Sequence, residues 1–409
     1  MKVFVRYLFL SLLFLTVFPV SSFSQKKQIT QAQDMVKSGK DLDKAESMMR
    51  KLLQDSVGRS NKRVWLTLVS ALTGQYEQGN EKLYLKQKYD TTALFSITKR
   101  LFEDMQAFDS IDAQPDKKGR VAPRYRERHS EYLNRIRANL YYGGAYYIRR
   151  GDYARAQDFL ETYVACKDMP LFSGYDYAAT DTLMPSAAYW IMYCGNKMKD
   201  ADLVLSYDSI ARKDSLHLDF MLQYVSEAYL LKNDTANYVR TLHEGLDYNA
   251  LFPFFFPRLV EYYNSNDMLD KAMGVVDQAM LTDSANVTFR SAKSTILLNQ
   301  RKYDECIKLS EELIAENESL ADAYYNIGLA YFDQAIEMDK VKQKYKTKRQ
   351  KMTKLYEKSL PYMERYRQLA PSQVRRWSLP LYTIYLNLNK GKEFDEIDKI
   401  RNEYRRKHQ

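Results

Sequence analysis

Tyr229, Tyr263, Leu297 and Tyr331 follow one another at 34-residue intervals, and the pairs Ala272 and Cys306, and Ala279 and Leu313, keep the same spacing. A fixed period of this length constrains the fold more tightly than any composition does. It marks stacked helix pairs, because a single pair leaves an apolar face open that only its neighbours can bury. Composition enters only to support this. Fourteen glycines and 10 prolines in 409 residues suit long helices joined by short turns and argue against a strand-rich or disordered chain.

The register is written out from its best unit. Tyr303-Asp-Glu-Cys-Ile opens a second helix running to Glu316, and Ala321 opens the next unit, with Tyr324, Ile327, Gly328 and Tyr331 at large, large, small and aromatic positions. Stepping back by the period places unit starts at Val287, Pro253, Asp219 and Pro185, with small second-helix residues at Ala272, Ala279, Gly245 and Ala211. Small residues belong where two helices cross closely, and bulky ones fill the space between crossings. Upstream, Gly151-Asp152-Tyr153 followed by Ala156 reads as an inter-helix turn, with Gly144 and Tyr147 before it, in a unit spanning about 137 to 170.

This pattern resembles the tetratricopeptide repeat over most of residues 137 to 409. The resemblance implies an all-α fold, a right-handed superhelical solenoid of helix pairs, and binding of protein segments without catalysis. Tetratricopeptide domains that grip a chaperone's C-terminal carboxylate use Lys and Asn on successive first helices. Here the matching positions hold Tyr141, Ala145, Tyr189 and Tyr193, so that activity is not carried over.

Toward the start the pattern weakens. Lys2 and Arg6 precede an apolar run from Tyr7 to Val20, and Ser22 and Ser24 flank Phe23, which reads as a secretory signal over 1 to 24, removed to leave a chain starting near Gln25. Removal takes the formal charge from +10 to +8. No cysteine follows the expected cleavage point, which disfavours a lipid anchor. Residues 25 to 114 read as a divergent helical region: Leu42 and Ala45 mark a pair over about 28 to 55, Trp65, Leu68, Val69 and Leu72 a further helix, and Leu94, Ile97, Leu101, Met105 and Phe108 one face of another. Residues 115 to 136 read as a basic linker and helix start, mobile over Pro115 to His129. The solenoid then runs over 137 to 373, and 374 to 409 form a capping pair with one charged side.

Departures from the period point toward function. Between Gly328 and Ser359 the chain is roughly 19 residues longer than the repeat needs, an insertion over about 335 to 354. From Lys340 to Lys354 it carries eight Lys or Arg, including Lys342, Lys344, Lys346, Lys348 and Arg349, and no acid. Such a run is either a solvated helical hairpin or a docking arm for an acidic protein or an anionic membrane surface. An exported chain rarely meets nucleic acid, so none is expected as a partner. A second insertion, 171 to 184, is either a cover packed on the stack or a contact loop acting through Tyr175, Asp176, Tyr177 and Asp181.

The concave face of such a stack is lined by first helices, which puts Tyr141, Arg149, Tyr189, Tyr193 and Lys197 on it, with Tyr325 further along. Rings beside cations can hold a peptide, a carboxylate or a sugar; the alternative is ordinary packing. Three consecutive phenylalanines, Phe254 to Phe256, cannot all share one helix face, so at least one is expected to meet solvent, a loop or a partner; the segment reads as buried inter-repeat packing, with a partner hot spot as the alternative. Cys166 and Cys194 flank the 171 to 184 loop and could pair in an oxidising compartment, while Cys306 fills a small slot as an inert thiol.

The four histidines are scattered, and no phosphate loop, nucleophile elbow or metalloprotease helix is present. No catalytic residue, cofactor or metal site is therefore assigned. The expected function is an exported, non-catalytic scaffold in the periplasm or peripheral to the outer envelope, binding another envelope protein or assembly. The alternative is a glycan or small-ligand module using the groove near Tyr141 and Tyr189.

Overall fold

Four positions in the backbone, recurring with the sequence period, set the architecture. The computed structural model describes residues 24–340 and 345–408. Within it Lys199, Asn233, Asp267 and Arg301, 34 residues apart, all take left-handed φ of 56 to 61°. At each, the next N–H bonds back to the carbonyl five residues earlier, at Gly195, Tyr229, Tyr263 and Leu297. This is the Schellman closure of a first helix, which satisfies its last carbonyls and turns the chain into the second. Gly151 (φ 73°) and Asn389 (φ 54°) make the same turn, closing on Tyr147 and Tyr385.

The expected secretory signal falls on residues 1–23, outside the described residues except for its last position; Ser24 already opens helix α1 (24–38). The chain divides into two compact units, 1–234 and 235–409. In the first unit α1 is followed by α2 (Leu42–Leu52), the short α3 (Ser56–Ser60), α4 (Lys62–Tyr84), α5 (Thr91–Asp112), α6 (Arg126–Ile136), α7 (Ala138–Arg149), α8 (Tyr153–Ala165), the single-turn α9 (Tyr177–Thr180), α10 (Met184–Met198), α11 (Ala201–Ala211) and α12 (Leu218–Leu231). The second holds α13 (Thr235–Tyr248), α14 (Phe255–Ser265), α15 (Leu269–Thr282), α16 (Val287–Asn299), α17 (Tyr303–Glu316), α18 (Ala321–Lys340), α19 (Tyr345–Leu369), α20 (Val374–Asn387) and α21 (Gly391–His408). Among the described residues every regular element is a helix, so the fold class is an all-α helical solenoid. None of these helices is long and apolar enough to cross a membrane.

Helix crossings follow the small residues. A Cβ on Gly144 would lie 2.5 Å from Leu160, and one on Gly245 would lie 2.3 Å from the Phe255 ring. Ala211, Ala272, Ala279 and Cys306 are fully buried at the corresponding second-helix positions. The N-terminal stripe Leu94, Ile97, Leu101, Met105 and Phe108 is buried as well, in a core shared with α7 and α8.

Segments read as irregular are more tightly held than the sequence implies. Asp112 accepts hydrogen bonds from the backbone N–H groups of Arg124 and Tyr125 and pairs with Lys62 at 2.8 Å. Arg126 grips Asp109 through two nitrogens, the closer at 2.7 Å, and His129 is a buried residue of α6. The last part of the stretch expected as a mobile linker, Arg124 to His129, is thus pinned to the end of α5, while residues 116–122 are exposed. Its many cations concealed the two buried carboxylates that receive it.

All three phenylalanines are buried, in keeping with the packing reading, although they cannot share one helix face. Phe254 precedes the helix rather than belonging to it (φ −116°, ψ −48°), which frees its side chain from the helical spacing. Phe255 then turns back onto Gly245, and Phe256 packs on Phe289 of the next pair, ring centres 4.5 Å apart.

Candidate partner-binding surfaces

The first unit resolves the 171–184 insertion as a cover. Leu171, Phe172 and Tyr177 are buried, and Arg137 lies sandwiched between the rings of Tyr163 and Tyr177, 3.8 and 3.9 Å from their centres. Its guanidinium pairs with Asp181 at 2.7 Å and donates to the Tyr163 carbonyl at 2.9 Å, while the Tyr163 hydroxyl donates to Asp181. Burial is the largest influence on Arg137 and opposes its charge, yet Tyr163, Cys166 and Asp181 together hold its pKa above the ordinary arginine value. Tyr177 and Asp181 are therefore clamps on the loop. Tyr175 stacks on Tyr177, and Asp176 caps α9.

Cys166 and Cys194, expected as a possible bridge, are separate buried thiols. Cys166 donates to the Thr162 carbonyl at 3.2 Å beside the Arg137 clamp, and burial pushes its pKa up to about 11. Burial alone takes Cys194 to about 12. Neither thiol has the electropositive, open setting that thiolate chemistry requires, and the loop is stapled by the Arg137 cluster instead.

The tyrosine groove divides the same way. Tyr189 is buried, stacked on His217 at 4.2 Å and on Tyr224 at 6.1 Å, so it packs rather than binds. Tyr141 is half-buried with its hydroxyl 3.1 Å from Ser186. Lys197 lies over the half-buried Tyr193 ring at 5.2 Å, and Arg149 is exposed. In the second unit Tyr325 is held between Arg376, at 4.0 Å, and Tyr366.

The basic arm is a helical hairpin of α18 and α19. Lys342 and Lys344 lie outside the described residues. Over the rest, contact with α18 sorts the cations. Met352, Tyr356 and Ser359 face inward, and on their side Lys348 is drawn against α18, pairing with Asp339 at 2.9 Å. Lys346, Arg349, Lys351 and Lys354 are exposed, Lys346 and Lys354 on the side away from α18 and Arg349 and Lys351 on its two flanks. The first turn of α19 holds no acid, so its cations sit at the positive end of the helix dipole, an arrangement costing about 0.3–1 kcal/mol per charge. Natural proteins break one or two such local rules at functional sites.

At the base of the arm the insertion creates a second feature. The repeat would turn again 34 residues beyond Arg301; α18 instead runs on to Lys340. The prolonged helix sets Asp333, Glu337 and Lys340 beside the preceding turn residues Asp267 and Arg301, enclosing a groove of about 450 Å³. Leu269, Tyr303 and Glu337 on its wall occupy one register position in three successive pairs. Glu337 accepts from the Tyr303 hydroxyl at 2.9 Å and pairs with Arg301 at 3.1 Å. Burial, reinforced by Glu337 and partly opposed by Arg301, pushes the Asp333 carboxyl up to about 6. These groove residues were not singled out in the sequence, although their common spacing was there to be read.

No protein-family model and no curated protein matches this chain. Among solved structures it is similar to the C-terminal part of a TPR repeat-containing protein from Cytophaga hutchinsonii, at 11% identity over 63% of this chain and 92% of that one, TM-score 0.42. It is also similar to a tetratricopeptide repeat protein from Parabacteroides merdae, 13% identical over 64% and 97%, TM-score 0.36. A TPR repeats protein from Bacteroides fragilis is 15% identical over 64% and 98%, TM-score 0.31.

Proposed function

We propose that this chain is an exported, non-catalytic scaffold of a bacterial envelope that docks an acidic protein partner on the outward face of α19, with the groove at the arm's base as the adjoining contact. The observation that supports this reading is the sorting of the arm's cations. Lys348 is neutralised internally, whereas Lys346, Arg349, Lys351 and Lys354 all stand exposed around the solvent side and flanks of α19. Charge of one sign on one face speeds and orients association with a partner of opposite sign. The tyrosine-based glycan reading loses its central ring, since Tyr189 is packed beneath His217.

The test is mild crosslinking in the native envelope, followed by purification of the chain and of a variant with Lys346, Arg349, Lys351 and Lys354 changed to Glu. One dominant acidic protein recovered with the native chain and lost from the variant is expected, with binding that weakens steeply as salt rises. Equal recovery by both chains would overturn the reading. Capture by anionic vesicles without any protein partner would replace it with membrane docking. N-terminal sequencing of the native protein tests export: a start near Gln25 is expected, and an intact Met1 refutes it.

A further inference from the structure

A second cavity, of about 310 Å³, lies in the first unit among α1, α4, α5 and α6. Leu66, Val69 and Met105 give it apolar walls, and Glu77 and Arg128 stand exposed at its mouth. Two residues of α6 line it three positions apart, hence on one helix face: His129 and Tyr132. His129 is only 6% exposed, its ring packed on Phe108 and Tyr125, and its Nδ1 has no hydrogen-bond partner. The Tyr132 hydroxyl is likewise buried without a well-formed hydrogen bond, with Thr73 beside it. Native proteins pair nearly all buried polar atoms. Two such groups lining one cavity match a molecule that offers a hydrogen-bond donor and acceptor.

We infer that this cavity binds a small uncharged amphiphile, a ring-sized apolar body bearing one hydroxyl or carbonyl group. The inner groups are both neutral dipoles, since burial and Arg128 hold the imidazole unprotonated down to about pH 4. A hydroxyl serves both at once, donating to an unprotonated Nδ1 and accepting from the tyrosine. A charged ligand would lose its water with no counter-charge inside, and Glu77 and Arg128 at the mouth oppose each other in sign. The volume sits at the small end of ligand cavities, which suits one ring and excludes a peptide or an oligosaccharide.

Phenol is the probe, titrated into the 25–409 chain while the His129 side-chain resonances are followed by NMR, with benzene and benzoate as controls. Saturable single-site binding of phenol that shifts the His129 signals is expected, with benzene about tenfold weaker and benzoate no better than benzene. Tyr132→Phe removes one oxygen and no carbon. It is expected to weaken phenol about tenfold while leaving the melting temperature unchanged or higher, because a buried orphan hydroxyl is deleted. Non-saturable phenol shifts, or equal affinity in Tyr132→Phe, would mean a water-filled void and overturn the inference. Tighter binding of benzoate than phenol would overturn the uncharged class.

Discussion

Replacing Arg137 by Ala tests whether the 171–184 segment is a clamped cover. The substitution leaves Asp181, whose side chain is 8% exposed, without its guanidinium partner and removes the plate between the Tyr163 and Tyr177 rings. Breaking a buried pair by removing one partner costs about 3–5 kcal/mol, most of it from the stranded charge. The stack need not unfold in one step, so the appropriate observable is local: native-state hydrogen exchange of the amides over 171–181. At about 1.36 kcal/mol per factor of ten, those amides should exchange roughly two to three and a half orders of magnitude faster, with amides of α4 much less affected. Asp181→Asn in the Arg137→Ala background should restore a large part of the protection, because a neutral amide tolerates burial better than a lone carboxylate. Exchange accelerated less than tenfold would refute the clamp, as would a double variant no better protected than the single one. The segment would then be free to serve as a contact loop.

Gly245→Ala should destabilise the second unit by about 1–2 kcal/mol in urea unfolding, since the new methyl meets the fully buried Phe255 ring and outweighs the gain in helix propensity. The same change at Gly328 meets the flexible Met363 side chain at 2.6 Å and its backbone nitrogen only at 3.3 Å, so it should cost somewhat less; a larger cost than at Gly245 would refute the packing argument. Asp333 carries a carboxyl raised to about 6, so its contribution to stability is fully present below the unfolded value near 3.8 and is lost as pH rises through about 6. Asp333→Asn should therefore stabilise the second unit at pH 7 by about 1 kcal/mol after allowance for solvent screening and flatten the stability profile between pH 4 and 7. A variant with an unchanged profile would show that the groove does not perturb this group.

How far the sequence reached is seen at particular residues. Tyr229, Tyr263 and Leu297 mark the period, and in the fold they are the residues whose carbonyls close each first helix. Their spacing was legible because every repeat solves the same local packing problem. The turn residues one step on were not, since Lys199, Asn233, Asp267 and Arg301 carry no glycine signal; the Schellman bonds hold them left-handed. Tyrosine defeated the groove reading for a chemical reason. Its ring suits a core and its hydroxyl suits a surface, so nothing in the chain separates the buried Tyr189 from the half-buried Tyr193.

By itself the sequence determined the helical class, the repeat register from about residue 137 onward and the existence of a basic insertion, because these depend on which residue types recur at short range. Only the tertiary structure decided that Lys348 turns inward while Lys346, Arg349, Lys351 and Lys354 stand exposed. It alone brought Asp267, Arg301, Asp333 and Glu337 to one groove, enclosed Arg137 between two rings and left His129 and Tyr132 unpaired in a cavity. Those outcomes depend on the phase of one helix against another, which side-chain packing over distant segments fixes and no local pattern records.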